Sequence, residues 1–209
     1  RAVTAAQPLV EAMRTEVTAG QFLDIQAQAR HPLDARSAPQ EVMDQVRRVV
    51  EYKTARYTVI RPLQVGAALA GAPEGLLEAL ARYGSAVGRA FQFRDDVLGG
   101  YGDEALTGKP AGDDLREGKL TVLVAHAIAR APEAEARLLA DLLGRADLSS
   151  AEVDQARDII SDSGAVAATE DEIAITLAEA LEAVEATPIS DNARPALRVL
   201  ARMAVDRVS

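Results

Sequence analysis

Residues 91–121 read FQFRDDVLGGYGDEALTGKPAGDDLREGKLT. On a helix, Gln92 lies three residues before Asp95 and four before Asp96, so the three share a face. Gly and Pro then interrupt the pattern, and Lys109, Asp114, Lys119 and Thr121 follow from a loop. Adjacent carboxylates beside solvent repel each other and gain little. Facing a cavity they suit Mg²⁺, which takes oxygen ligands, keeps several waters and shares substrate phosphates. Asp95-Asp96 alone reads as readily as a solvated acidic helix end. The continuation adds Lys109 in Gly108-Lys109-Pro110, and Lys119 at the close of Asp114-Leu115-Arg116-Glu117-Gly118-Lys119. Lysine is a compact point charge suited to phosphate oxygens, and helix N-termini also favour anions. In this order the residues describe a diphosphate site that works through divalent metal.

The surrounding chain is helical in character. Hydrophobic residues make up 48% of the 209 residues but aromatics only 3%, so the core rests on Ala, Leu and Val. That favours helices over alternating strands. A net charge of −9 and a pI near 4.8 argue against nonspecific binding to nucleic acid or to an anionic membrane. There is no Cys, hence no disulfide framework, thiolate metal site or cysteine nucleophile. The two histidines, His31 and His126, have no ligand-spaced partner and read as structural or solvent-facing. No apolar run approaches the ~20 residues of a membrane span, which makes a cytoplasmic protein the expectation.

Periodicity predicts an all-α chain with a single bundle over 1–209. A first helix covers 4–29, with Leu9, Met13, Val17 and Gly20 on its packing side and Gln21, Asp24 and Gln28 beside them. A second opens after Ser37-Ala38-Pro39 and runs to about Ile60, where Pro62 is expected to break or kink it. The helix from 74 to about 98 carries Leu76, Leu77, Leu80, Tyr83, Val87, Ala90 and Phe91 as core candidates. Residues 99–113 read as a loop. Asp114 is expected to cap a helix that reaches about Arg130, and Pro132 starts another to about Leu143. Ser149-Ser150-Ala151-Glu152 has the pattern of a capping box. Helices over about 165–186 and 191–207 complete the chain.

FQFRDDVLG, TGKP and DDLREGKLT together resemble the second aspartate-rich region of the trans-type polyprenyl diphosphate synthases. Glu16-Val17-Thr18-Ala19-Gly20-Gln21-Phe22-Leu23-Asp24 is similar to the GQxxD helix of that family. Tyr52-Lys53-Thr54-Ala55-Arg56-Tyr57, with Pro62-Leu63 and Gly66-Ala67 after it, is similar to its K-T-A helix. Three ordered motifs over 16–121 carry the resemblance, whereas 122–209 match only as generic helices. The fold it implies is the orthogonal helical bundle of the isoprenoid synthase type.

The implied reaction is head-to-tail condensation of an allylic diphosphate with isopentenyl diphosphate, giving a product such as farnesyl or geranylgeranyl diphosphate. The diphosphate leaves an allylic carbon, the cation is captured by the double bond of isopentenyl diphosphate, and pyrophosphate takes a proton. The resemblance makes Mg²⁺ the cofactor, Asp95 a ligand, and Asp96 a ligand or a hydrogen-bond acceptor behind one. Lys53, Lys109 and Lys119 would contact the diphosphate. Thr54 and Gln92, with the Lys53 backbone, would face the developing cation. Gln21, Asp24 and Asp114 would orient waters or metal ligands. Gln21 and Asp24 also read as a polar contact between helices, and Lys53 as a surface lysine lying along its helix. Tyr57 and Phe91 read as core. A homodimer is a further implication.

Two departures limit the match. The family's DDxxD reads here with Gly99 in its fifth position, which removes one carboxylate. Nothing before Glu16 supplies a first aspartate-rich motif or the arginines for isopentenyl diphosphate, and Glu170-Asp171-Glu172 reads as a solvated stretch. The first reading is thus the C-terminal portion of a prenyl diphosphate synthase, with little turnover expected from these residues alone. A second is a non-catalytic small subunit that adjusts a complete synthase. A terpene cyclase is third, disfavoured by the lysines of GKP and REGK.

Overall fold

The structure is a computed structural model that describes residues 2–29, 39–101, 112–190 and 192–206. Every regular element among them is helical, as the periodicity predicts. The helices are α1 (Ala2–Gln28), α2 (Pro39–Val49), a π-helix (Val50–Ile60), α3 (Arg61–Leu69), α4 (Glu74–Tyr101) and α5 (Asp113–Arg116). Then follow α6 (Val122–Arg130), α7 (Glu133–Leu142), α8 (Ser150–Asp162), α9 (Ala165–Ala186) and α10 (Ala193–Val205). The described residues sort into two compact units. The first holds 2–22, 49–92, 173–190 and 192–206, and the second holds 23–29, 39–48, 93–101 and 112–172.

In the first unit, Leu80, Tyr83, Ala86 and Val87 of α4 pack with Ala180 and Val184 of α9 and with Leu197, Ala201 and Ala204 of α10. Buried Tyr83 donates its hydroxyl to the Leu197 carbonyl at 2.8 Å, which satisfies the one polar atom of the ring. Burial pushes its hydroxyl pKa up to about 12. Phe91 packs against this cluster, but Tyr57 does not join the core: it is 47% exposed.

In the second unit, α6, α7 and α8 pack on one another through Leu123, Val124, Ile128, Leu139, Val153 and Ile160. The Ser149 capping box forms as expected: Glu152 N donates to Ser149 Oγ at 3.3 Å, and Ser149 N to Glu152 Oε2 at 2.9 Å. The acidic stretch near 170 is not simply solvated. Arg94 holds Glu170 through two bonds of 2.6 and 2.8 Å, and Glu172 bonds Arg47 at 2.6 Å. His126 Nε2 lies 3.5 Å from Glu172 Oε1, at the outer limit of hydrogen-bonding distance.

Four boundaries differ from the expected ones. The helical stretch that begins at Pro39 does not end near Ile60, because α2, the π-helix and α3 follow one another in sequence without a gap. In the wide turns Arg61 N–H reaches back to Arg56 O, five residues away. Pro62 sits at the start of α3, where these turns leave room for its ring and its missing N–H costs little. At the far end of α4, the helix continues through Gly99 and Gly100 to Tyr101. The Arg157 guanidinium holds the Gly100 carbonyl there at 2.8 and 2.9 Å, satisfying a helix-end acceptor. The span expected as one helix from Asp114 to Arg130 is two. Gly118, at φ 71°, ends the short α5, and Thr121 Oγ1 accepts from Val124 N to cap α6. Asp114 is not an N-cap, since Gly112 at φ 77° makes the entry turn. The signals at His31-Pro32 and Ser37-Ala38, with most of the loop expected at 99–113, lie outside the described residues.

Candidate functional site

The π-helix is pressed between glycines of the first unit. A Cβ on Gly20 of α1 would lie 2.6 Å from Lys53 Cα. One on Gly88 of α4 would lie 2.6 Å from Ala55 Cβ, and one on Gly84 3.0 Å from Ile60 Cα. Only hydrogen fits at these positions, so the glycines set how closely the backbones of 53–60 approach α1 and α4. One turn after Gly88 on α4 comes Gln92. The Thr54 hydroxyl donates to its Oε1 at 2.7 Å, and Thr54 is buried. Lys53, half-buried, is the preceding residue. The structure thus joins two of the residues expected at the reacting centre and fixes the backbone of a third.

Beside them runs an ion-pair network that motif reading does not reveal. Glu16 accepts from Arg56 at 2.6 Å and from Arg61 at 2.6 and 2.7 Å, and Arg61 also donates to Gln64 Oε1 at 2.8 Å. Gln64 closes the chain by donating to the Leu77 carbonyl at 3.0 Å. Burial by itself would raise the Glu16 pKa, but the bonds from Arg61 and Arg56 outweigh it and hold the carboxyl below its ordinary range. Arg56 also reaches Glu51 at 3.2 Å and stacks 4.6 Å over the Tyr52 ring. The sequence signal was present: Glu16 opens the GQ segment and Arg56 ends K-T-A-R, at positions that look ordinary without the fold.

In the second unit, Asp95 is half-buried on α4 and Asp96 is buried. Asp96 Oδ2 accepts from Val122 N at 3.2 Å, so one of its oxygens serves the first turn of α6. Asp114 Oδ1 accepts from Lys119 Nζ at 2.6 Å, and Lys119 reaches Glu117 Oε2 at 2.6 Å as well. Burial opposes the Lys119 charge, yet the bonds to Asp114 and Glu117 push its pKa above the ordinary lysine range. The Asp114 carboxyl also rests on Gly99: a Cβ there would lie 3.2 Å from Asp114 Cγ and closer still to Oδ2. The α4 terminus, Asp114 and Lys119 are thereby one packed group.

On α1, Gln21 is exposed and Asp24 half-buried. Lys109 lies outside the described residues. Among the described residues no three His, Asp or Glu side chains converge as a metal cage, because Asp96 turns to Val122 and Asp114 to Lys119. The donor set still fits Mg²⁺ in its usual form, held by one or two carboxylates and completed by phosphate oxygens and water. A further signal lies in the composition. The chain has three lysines, Lys53, Lys109 and Lys119, against twenty arginines. Every lysine falls in the motifs that would hold phosphate.

The polyprenyl synthetase family model matches residues 2–160. The chain belongs to the polyprenyl synthetase family. Among its relatives, the short chain isoprenyl diphosphate synthase of Methanocaldococcus jannaschii is 33% identical over 148 residues, 71% of this chain and 42% of that protein. The (2E,6E)-farnesyl diphosphate synthase of Mycobacterium bovis is 34% identical over 168 residues, 79% of this chain and 46% of that protein. The chain therefore spans about half the length of the relatives it matches. The fold is shared with the geranylgeranyl pyrophosphate synthase of Corynebacterium glutamicum, complexed with isoprenyl diphosphate and magnesium. The TM-score is 0.87 at 38% identity, over 99% of this chain and 56% of that one. A polyprenyl synthase of Caulobacter crescentus CB15, complexed with calcium and isoprenyl diphosphate, aligns with TM-score 0.81 at 32% identity, over 98% of this chain and 59% of that one.

Proposed function

We propose that this chain carries the allylic-diphosphate machinery of a trans-prenyltransferase, which condenses an allylic diphosphate with isopentenyl diphosphate into a polyprenyl diphosphate such as farnesyl or geranylgeranyl diphosphate. The observation that carries the reading is the part-buried Thr54–Gln92 bond beside Lys53 on a glycine-clamped π-helix. A hydroxyl that gives its proton to an amide oxygen becomes more electron-rich at its own lone pairs. The Thr54 oxygen is thus a fixed negative dipole end suited to an allylic cation. Such preorganised electrostatics are a principal source of rate enhancement.

The reaction breaks an allylic C–O bond, whose electron pair leaves with pyrophosphate. Lys53, Lys109 and Lys119 bind the oxygens on which that charge grows. The double bond of isopentenyl diphosphate forms the new C–C bond, and the proton then lost goes to pyrophosphate. Asp95, with the remaining capacity of Asp96, would hold Mg²⁺, which would screen the leaving group. Gln21, Asp24 and Asp114 would orient waters or metal ligands, and the Ala-, Leu- and Val-rich helices keep bulk water from the cation. The residues form one isoprenoid-synthase domain of an enzyme that acts as a homodimer in the cytoplasm. Complete turnover calls for a first aspartate-rich motif in addition to the residues present.

Incubating the protein with isopentenyl diphosphate, allylic primers and Mg²⁺, with everything encoded upstream included, tests the reading. An elongated prenyl diphosphate supports it. No product, together with an altered product length when the chain is mixed with a complete synthase, would favour the small-subunit reading instead.

A further inference from the structure

Gly99 lacks a side chain at the end of the acidic face of α4, and the structure shows what fills that volume. The Asp114 carboxyl lies where a Cβ of residue 99 would go, with Cγ 3.2 Å from that point. From there its Oδ1 accepts from Lys119 Nζ at 2.6 Å, and the Asp114 carbonyl accepts from Lys119 N at 3.0 Å. The side chains of Asp114 and Lys119 are only 17% and 27% exposed. The turn that carries them is also held in place. Gly118 N and Gly144 N both donate to the Leu115 carbonyl, at 3.2 and 2.8 Å. A Cβ on Gly118 would meet Gly144 Cα at 2.9 Å. The Asp114 carboxyl must leave its present position if residue 99 acquires a side chain.

We infer that Asp114 supplies, from the turn after α4, the carboxylate that Gly99 cannot supply from the helix, and that it acts as the positioning residue for Lys119. The inference rests on the prenyl-transfer reading for the purpose of Lys119 but not for the geometry. It makes residues 99 and 114 exchangeable as a pair: one carboxylate fits in this space, on either backbone position, and two do not.

The test uses the whole chain labelled with ¹³C at lysine Cε, which gives signals from Lys53, Lys109 and Lys119 alone. Lys119→Arg assigns the third. At fixed pH, Gly99→Ala, Gly99→Asp and Asp114→Asn should each move the Lys119 signal toward its position in unfolded chain. Each should also weaken calorimetric binding of inorganic pyrophosphate with Mg²⁺ by about tenfold or more, the scale of one charge-assisted bond. The double variant Gly99→Asp/Asp114→Ala should recover binding to within about threefold of the parent and restore the Lys119 signal. A merely structural role for Asp114 does not predict that rescue. A Lys119 signal unmoved by Gly99→Ala, or a double variant no better than Asp114→Ala, overturns the inference. A parent chain that binds no pyrophosphate overturns the prenyl-transfer reading instead, and the lysine signals then decide the inference alone.

Discussion

The Thr54 hydroxyl donates to the Gln92 amide oxygen at 2.7 Å, linking the widened turns of 50–60 to α4. Thr54→Val keeps the shape and deletes the donor, leaving a partly buried amide oxygen without this partner. Chemical denaturation should show a loss of about 1–3 kcal/mol. With the proposed dipole removed, kcat for prenyl transfer should fall about tenfold or more while KM for the allylic substrate changes little. A variant with unchanged kcat removes Thr54 from the reacting centre.

Gly20→Ala places a methyl group 2.6 Å from Lys53 Cα. Backbone cannot yield as a flexible side-chain tip can, so α1 must shift or the π-helix must deform. Urea titration should give a loss of about 2 kcal/mol or more. Gly66→Ala is the control, because a Cβ there meets nothing within 4 Å. It should be neutral or slightly stabilising in the helix interior.

Much of the architecture was legible because helix periodicity and caps are local. Ser149 and Glu152 announce the start of α8 between themselves, and Ala165–Ala186 is helical at the boundaries that composition suggests. The failures come from partners remote in sequence. Pro62 looks like a terminator until the preceding turns are seen to be wide. Asp114 looks like an N-cap until Gly112 takes the entry turn and Lys119 takes the carboxyl. The motifs identified Thr54 and Gln92 separately, but their bond spans 38 residues and no spacing rule contains it. The same holds for Glu16, whose partners Arg56 and Arg61 lie 40 and 45 residues away.

Glu16 should make stability pH-dependent on the acid side. Its folded-state pKa is below the ordinary 4.5, so the unfolded chain binds the proton more readily. The contribution is therefore present in full above about the unfolded value and is lost as pH falls through the lower folded value. Thermal melting of the parent should weaken over that acid window. Glu16→Gln should start less stable at neutral pH, with Arg56 and Arg61 left beside a neutral amide, and should show a flatter acid limb. An identical acid limb in both proteins would assign the effect to other carboxylates.

Asp96 has two separable tasks, as an acceptor for Val122 N and as a charge on the acidic face of α4. Asp96→Asn keeps an acceptor oxygen and removes the charge, whereas Asp96→Ala removes both. The alanine variant should lose about 1–2 kcal/mol, because the buried Val122 N–H at the start of α6 loses this acceptor while the Thr121 cap remains. The asparagine variant should melt close to the parent. Binding of Mg²⁺ with pyrophosphate should weaken in both, because a neutral amide is a poorer ligand for a hard cation than a carboxylate. Calorimetry beside thermal melting reads the two tasks independently. Parent-like binding by Asp96→Asn would confine Asp96 to accepting from Val122 N and leave Asp95 as the carboxylate that meets the metal.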